Sequence, residues 1–498
     1  MVTFVAIKNT KNMSKEIRTL APQSVWNCFA DLNAVPRASK KEEEVIAFMM
    51  DFGHKLGLET LKDEVGNVII RKPATSGMGD RTPIVMQSHL DMVHQKNAGT
   101  NFDFNTQGID MYIDGEWVKA KGTTLGADNG MGVAAIMAIL QSNDIPHPAL
   151  EALFTIDEET GMTGAMGLKG GVLKGEILLN LDTEEDDEID IGCAGGVDIT
   201  ASRTYNEEPV PEGTIAYQLL IKGLQGGHSG MDIHKGLGNA NKIMNRMLFA
   251  GFENYGLRVA EINGGGLRNA IPRESTATVV IDKVHQEAFE YEFNQLAEVV
   301  KSELKTMEPD LSITAQPTNI PSKVMSLGVQ EGVINAIYAA HNGVYRMSAD
   351  MDDLVETSNN LARVTIKDGK VEVMCLTRSS VESSKEDLAN TLRATFELAG
   401  FEVLLSGAYP GWTPNVNSPI LEVLKEKYAK LFNEEPEVVA CHAGLECGIL
   451  GQNYPDMDMI SYGPTIRGAH SPDERVNIAS VQKFWKFTLE ILKDIPKK

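Results

Sequence analysis

Apolar residues recur every three or four positions early in the chain: Val25, Phe29 and Leu32, then Val45, Phe48 and Met49 after Ser39. That spacing predicts two helices. The pattern then changes to short apolar runs at 66–70, 84–86, 151–156 and 177–181, which read as buried strands. Asp114-Gly115 marks a hairpin turn leading into an arm at 115–118. Residues 131–140, rich in Ala, Met, Ile and Leu, predict a helix buried on every side, with Asp128 at its start. Strands alternating with helices point to an α/β sandwich.

After the acidic run 184–190 the pattern is of another kind. Strands are expected at 215–222, 276–282, 361–366 and 371–376, and amphipathic helices at 239–252, 285–307, 332–341 and 384–398. This mixture predicts a separate α+β domain with two rounds of strands and helices, although no sequence repeat accompanies them. The α/β character returns with the run 401–404, a helix from Pro419, a strand at 437–440 and a closing helix at 478–492. One domain is therefore expected inside another, as a catalytic segment 13–196, an inserted domain 197–396 and a second catalytic segment 397–498.

Length and charge narrow the picture. A chain of 498 residues exceeds one compact core, so two or three domains are expected. A formal net charge of −23 has the wrong sign for binding nucleic-acid phosphates or an anionic membrane surface. No apolar run nears the roughly 18 residues of a membrane span. Five scattered cysteines without a Cys-x-x-Cys pair point to a reducing, cytoplasmic location and away from a thiolate metal site. The apolar patch at 2–7 is too brief for a signal-peptide core, and residues 1–12 read as an extension or as a start placed upstream of Met13.

Chemistry concentrates where the expected strands end. His89 and Asp91 follow the run at 84–86, Glu158 and Glu159 follow 151–156, and Asp182 follows 177–181. Asp128 and the segment Ala469-His470-Ser471-Pro472-Asp473-Glu474 add to them. Open α/β sheets place their ligands at such ends. The consecutive acids Asp157, Glu158 and Glu159 repel one another unless a cation sits among them. On an extended backbone Glu158 and Glu159 leave on opposite sides, so one can hold a metal while the other handles a proton.

Two histidines and a surplus of carboxylates form a nitrogen and oxygen donor set suited to zinc, manganese or cobalt. If Asp128 bridges two ions, His89 and Asp182 complete one site while Glu159 and His470 complete the other. A water shared by two such ions loses its proton near neutral pH. Glu158 can accept that proton and pass it to a leaving amine, and Asp91 is placed to fix the His89 imidazole. Singly, each residue has a plainer reading as a core histidine, a helix cap, a turn residue or a solvated acidic turn. Their number is what favours a metal site.

Other motifs carry less. Gly161-Met162-Thr163-Gly164-Ala165-Met166-Gly167 follows a strand, but a pyrophosphate there would face three carboxylates, so close helix–strand packing is expected. The acidic run beyond Asp182 lacks the central glycine of a calcium loop and reads as a solvated face. Gly226-Gly227-His228-Ser229-Gly230 reads either as a plain turn or as a loop presenting one histidine. No Gly-x-Ser-x-Gly elbow is present.

The segments Ser88-His89-Leu90-Asp91-Met92-Val93, Leu125-Gly126-Ala127-Asp128-Asn129-Gly130, Asp157-Glu158-Glu159-Thr160-Gly161, Asn180-Leu181-Asp182-Thr183-Glu184-Glu185, Gly226-Gly227-His228-Ser229-Gly230 and Gly468-Ala469-His470-Ser471-Pro472-Asp473-Glu474 occur in this order. Together they resemble the dinuclear zinc aminopeptidase and deacylase superfamily of carnosinases, aminoacylases and glutamate carboxypeptidases. Within it the chain is similar to the bacterial aminoacyl-histidine (Xaa-His) dipeptidases, through the stretch from Gly66-Asn67 to Ala74-Thr75 and His442-Ala443-Gly444-Leu445-Glu446-Cys447-Gly448. The likeness runs from about Ser14 to the C-terminus.

The resemblance implies an α/β/α sandwich of the zinc-peptidase type with an inserted α+β lid, and two Zn2+ per chain. It implies His89 and Asp182 on one ion, Glu159 and His470 on the other, Asp128 between them and Glu158 as general base. It further implies that His228 stabilises a tetrahedral oxyanion, that Asn269 and Arg378 hold the substrate backbone and C-terminal carboxylate, and that Gly444 lines the same pocket. A homodimer through the lid is expected, with His228 serving its own site or the partner's. The expected activity is hydrolysis of unblocked dipeptides, Xaa-His and carnosine-like ones among them. Two alternatives stand beside it: another amidohydrolase of the superfamily, acting on tripeptides, acyl-amino acids or carbamoyl compounds, and a non-catalytic peptide- or metal-binding protein.

Overall fold

The computed structural model describes residues 15–498. The expected extension at 1–12, and the first two residues of the segment 13–196, lie outside the described residues. The chain divides into two units, one continuing to Gly192 and taking up Pro414–Ala440 and Leu445–Lys498, the other made of Cys193–Thr413 and Cys441–Gly444.

The first unit is built on an eight-stranded sheet whose central strands Leu150–Thr155, Ile84–His89, Ile177–Asn180 and Asp458–Ser461 run parallel. The first three of these are buried along their whole length, which is why they read as continuous apolar runs rather than alternating ones. Register places His89 opposite Thr155, and Asn180 opposite both Gln87 and Ser461. All four strands therefore release the chain along one edge. The helix Ala127–Gln141 packs on Ile84–His89 and on the helix Gln23–Leu32, and is buried at nearly every position, as its composition requires.

Three local expectations change. Asp128 and Asn129 have non-helical dihedrals, so Asp128 stands before the regular helix as a kinked turn rather than as its cap, and the Asp128–Asn129 peptide is cis. The acidic triplet is not extended either. Asp157 is left-handed, with φ 53°, and Glu158–Gly161 forms a single helical turn. The acidic run beyond Asp182 is only partly a solvated face, since the strand Glu188–Cys193 begins within it and Asp190 is buried.

The second unit is built on a nine-stranded antiparallel sheet with strand order Ser312–Thr318, Thr214–Lys222, Ser275–Asp282, Arg258–Gly265, Val355–Lys367, Lys370–Ser379, Gly195–Thr204, Glu402–Tyr409, the ninth strand Gly343–Met347 pairing with Val355–Lys367. Its elements form two βαββαβ rounds. One runs from Thr214–Lys222 to Ser312–Thr318 and is inserted after Gly195–Thr204, the first strand of the other. The rounds meet where Arg258–Gly265 pairs with Val355–Lys367. The helices Ala240–Tyr255, Gln286–Leu304, Leu327–Ala339 and Glu382–Leu398 supply apolar residues such as Met247, Phe289, Ile337 and Leu392 to one core with the sheet.

The run 401–404, expected to resume the first domain, belongs to this unit, because Glu402–Tyr409 pairs with Gly195–Thr204. The division thus falls at Thr413 rather than 396. Hydrophobicity marks a strand but does not say which sheet it joins.

Close packing beneath the edge depends on Gly132, where an added Cβ would enter Ser88 Oγ and come within 2.7 Å of the Leu181 carbonyl oxygen. Gly132→Ala should therefore destabilise the protein by about 1–3 kcal/mol through overpacking. Urea unfolding checks it: the midpoint falls while the slope stays unchanged.

Candidate metal centre

The edge shared by the parallel strands gathers side chains that are far apart in sequence. Nε2 of His89 lies 3.2 Å from Oδ1 of Asp128 and 3.6 Å from Oδ1 of Asp182. Nε2 of His470 lies 3.1 Å from Oδ2 of Asp128 and 3.0 Å from Oε2 of Glu159. Asp128 thus turns one oxygen to each histidine. Side chains of His89, Glu159 and Asp182 are 1 %, 3 % and 7 % exposed, whereas that of His470 is 59 % exposed, so the group is closed below and open on the His470 side.

Each donor is held from behind. Nδ1 of His89 faces Asp91, 3.4 Å from its Oδ1 and 3.2 Å from its carbonyl oxygen, which leaves Nε2 turned toward the acids. The Asp91 carboxylate also accepts the Glu158 and Glu159 backbone N–H groups at 3.0 and 3.3 Å and the Ser39 hydroxyl at 2.8 Å. Asp91 therefore ties the imidazole to the acidic turn. Glu474 accepts the backbone N–H groups of Leu125, Gly126, Ala127 and Asp128 at 2.7–3.3 Å, fixing the kinked turn that carries Asp128.

Arg37 is buried and donates to the carbonyl oxygens of Leu90, Asp91 and Gly126, clamping the His89 and Asp128 segments together. Glu446 is buried beside them, accepting from Gln87 Nε2 and Thr155 Oγ1, both at 2.6 Å.

Charge is crowded here. Burial pushes the Asp182 carboxyl up to about 8 and that of Glu158 well above the usual range, with His89 opposing and neighbouring acids adding to the shift. Burial likewise raises Glu184 to about 8 and Glu446 and Glu474 to about 7. Glu184 is therefore part of this crowd rather than of a solvated face. His470 is raised to about 11 by its hydrogen bonds to Asp128 and Glu159. His89 is also raised, because Asp182, Asp128 and Asp91 outweigh the burial that would lower it.

The donors fit a metal. Single donor atoms of His89, Asp128 and Glu159 all lie within 4.8 Å of one another. A tetrahedral shell of nitrogen and oxygen ligands spaces its donors by roughly 3.3 Å, the range in which these nitrogens and oxygens already sit. Oδ1 of Asp182 is buried without a hydrogen-bond partner among the described residues, a costly state that a cation relieves. A cation in this place substitutes for protons the acids otherwise demand.

The other candidate residues belong to the second unit, where they form their own cluster. Gly227–His228 pairs with Ala270–Ile271, and the Ser229 N–H donates to the Asn269 carbonyl oxygen at 2.8 Å. Arg378 donates to Ser229 Oγ and to the Tyr409 hydroxyl. The segment Cys441–Gly444 supplies His442, whose Nε2 is 2.8 Å from Ser358 Oγ, and Gly444. His228 thus sits in a tied loop rather than a plain turn.

From sequence alone Arg37 and Tyr409 go unmarked, and Ser39, His442, Glu446 and Glu474 are named without a role at the site. A single charged residue in an apolar stretch, as Arg37 is between Pro36 and Ala38, was the available signal.

Comparison with known proteins places this geometry in context. The chain matches the model described as peptidase family M20/M25/M40 over residues 85–494, a span that includes every candidate donor. It is 45 % identical over 483 residues to the cytosol non-specific dipeptidase of Escherichia coli (strain K12), covering 97 % of this chain and 100 % of the relative. The crystal structure of aminoacylhistidine dipeptidase from Vibrio alginolyticus matches with a TM-score of 0.92 at 44 % identity, covering 98 % and 100 % of the two chains. Aminopeptidase PepT from Bacillus cereus ATCC 10987 shares the fold, with a TM-score of 0.56 at 15 % identity over 96 % and 99 % of the chains.

Replacing the four-fold acceptor Glu474 by its amide places N–H against N–H. Glu474→Gln should cost about 1.5–3 kcal/mol of stability and weaken divalent-metal binding about 10–100-fold by freeing the Asp128 turn. Denaturant unfolding and competition with a chromophoric chelator measure the two effects separately.

Proposed function

From the premise that this chain belongs to peptidase family M20/M25/M40 and is a dipeptidase within it, we propose that it hydrolyses unblocked dipeptides using two divalent ions. His89 and Asp182 would hold one ion, Glu159 and His470 the other, and Asp128 both. The observation that carries this reading is the two-sided contact of Asp128, one carboxylate oxygen toward each histidine. Zinc suits the donor set, as do manganese and cobalt. Ions held there supply Lewis-acid polarisation of the scissile carbonyl and acidify a water near neutral pH.

The side chains do the rest. Glu158, which shares a turn with Glu159 but is not among the donors facing His470, takes the proton of the attacking water and delivers it to the departing amine. Asp91 keeps the His89 ring oriented, and Glu474 and Arg37 keep the Asp128 turn in place, so the donors need little reorganisation on binding. In the second unit His228 would face the oxygen that gains charge at the tetrahedral stage. Asn269 and Arg378 would hold the substrate backbone and C-terminal carboxylate, and Gly444 would line the pocket. A guanidinium fork suits a carboxylate.

The relatives differ in what their names say of specificity, one non-specific and one aminoacylhistidine. A preference for C-terminal histidine is the narrower form of the proposal. Among the described residues no helix is long and apolar enough to cross a membrane. The same reading includes a cytoplasmic location, in keeping with the cytosol relative, and a homodimer through the second unit, which light scattering would detect.

Glu158→Ala should lower kcat/KM about 10²- to 10⁴-fold while metal content per chain stays at the wild-type value. Near-normal turnover in that variant would overturn the assigned role. Removing metal with a chelator should abolish hydrolysis and lower the melting temperature, with zinc restoring both. A panel of dipeptides with and without C-terminal histidine, tripeptides and N-acyl amino acids should show release from the dipeptides alone. Hydrolysis confined to N-acyl compounds would point to a deacylase.

A further inference from the structure

Arg378 is 5 % exposed, and its partners in the second unit are neutral oxygens. Its Nε–H donates to Ser229 Oγ at 3.4 Å and Nη1–H donates to the Tyr409 phenol oxygen at 2.8 Å. No acceptor among the described residues lies on Nη2. Asp198, the acid whose field reaches this guanidinium, is paired with Arg268 at 3.2 Å. A buried cation met only by neutral oxygens favours an anionic ligand, because an uncompensated charge away from water is costly.

Tyr409 is fixed at both its ends. It closes the edge strand Glu402–Tyr409, and its carbonyl oxygen accepts from the buried Lys385 Nζ at 2.6 Å. Its ring lies against Gly196, where an added Cβ would come within 2.7 Å of the ring atoms. The phenol therefore has little freedom to follow the guanidinium if Arg378 turns; the guanidinium must follow the phenol.

We propose that Tyr409 is a positioning residue for substrate recognition: it receives Nη1 while Ser229 receives Nε, so that Arg378 offers Nη2 to the terminal carboxylate of a peptide. This rests on the reading of Arg378 as the carboxylate partner. A planar fork locked before binding loses less freedom when the ligand arrives, and recognition of the carboxylate gains by that amount. Tyr409 acts through Arg378 and not on the reacting atoms.

The test uses the metal-loaded full chain with one dipeptide and its C-terminal amide, in wild type, Tyr409→Phe and Arg378→Met. Wild type should favour the free acid. Tyr409→Phe should raise KM for the acid about 5- to 10-fold, the worth of one ordinary hydrogen bond, with kcat within about twofold and KM for the amide unchanged. Arg378→Met should erase the preference for the acid. An equal loss on acid and amide in Tyr409→Phe means general loosening and overturns the proposal. So does an intact preference in Tyr409→Phe beside its loss in Arg378→Met, which leaves the role of Arg378 standing. If Arg378→Met keeps the preference, the carboxylate reading itself is wrong and the role of Tyr409 falls with it.

Discussion

Repulsion among buried carboxylates is the constraint to which the first unit is built. Burial at one edge of one sheet opposes ionisation of Asp128, Glu158, Asp182, Glu184, Glu446 and Glu474, and the charges of neighbouring acids add to it for all of these but Asp128. Two imidazoles cannot balance so many acids, and a protein gains nothing in stability from such a concentration. Divalent cations resolve it, which is why a donor set that would be a liability in a plain core is at home at a metal centre. Much of the surrounding structure follows from the need to hold these groups close without letting them swing apart.

That holding is done mainly by backbone amides. Asp91 takes the N–H groups of Glu158 and Glu159, and Glu474 takes those of the turn from Leu125 to Asp128. Each acid thus anchors a segment that carries a donor, and each is partly neutralised by aligned amide dipoles instead of a second charge. Arg37 adds a buried guanidinium that donates to carbonyl oxygens of the His89 and Asp128 segments. Burial lowers its pKa to about 10, far above neutral pH, so it stays charged and serves the local balance.

The parallel core was legible because its strands are buried on both faces and read as uninterrupted apolar runs, and the donors were legible because they follow those runs directly. Supporting residues were not, since Arg37 and Glu446 act through partners far away in sequence, such as Gly126 for Arg37 and Gln87 for Glu446. In the second unit Gly195–Thr204, Arg258–Gly265 and Ser312–Thr318 escaped notice. Gly195–Thr204 alternates, with Val197, Ile199 and Ala201 buried between Asp198, Thr200 and Ser202, but its small and polar residues make the pattern faint; Ser312–Thr318 is exposed over its last three residues and shows no clean alternation. The run 401–404, expected to resume the first domain, instead opens Glu402–Tyr409 on the second unit's sheet, because edge pairing is a tertiary choice that local pattern does not encode. The acidic triplet was expected to be extended because a strand precedes it. The left-handed Asp157, stabilised by hydrogen bonds from Thr160 and Thr163 to its carboxylate, turns the chain at once instead.

Glu158 bears on the choice between an enzyme and a passive binder. Holding ions requires donors, and His89, Asp128, Glu159, Asp182 and His470 already supply them on both sides of Asp128. A further carboxylate set into the same low-dielectric crowd raises the electrostatic cost of the fold. A protein that only bound peptides or metal would be more stable with glutamine or methionine there. The arrangement makes sense when that carboxylate has a proton to accept and return, for which a group with its affinity for protons raised by burial is suited. Its neighbour Glu159 differs by one position in sequence, yet faces His470. In the proposed mechanism one helical turn separates a metal donor from a base, and the αL residue Asp157 starts that turn at the sheet edge.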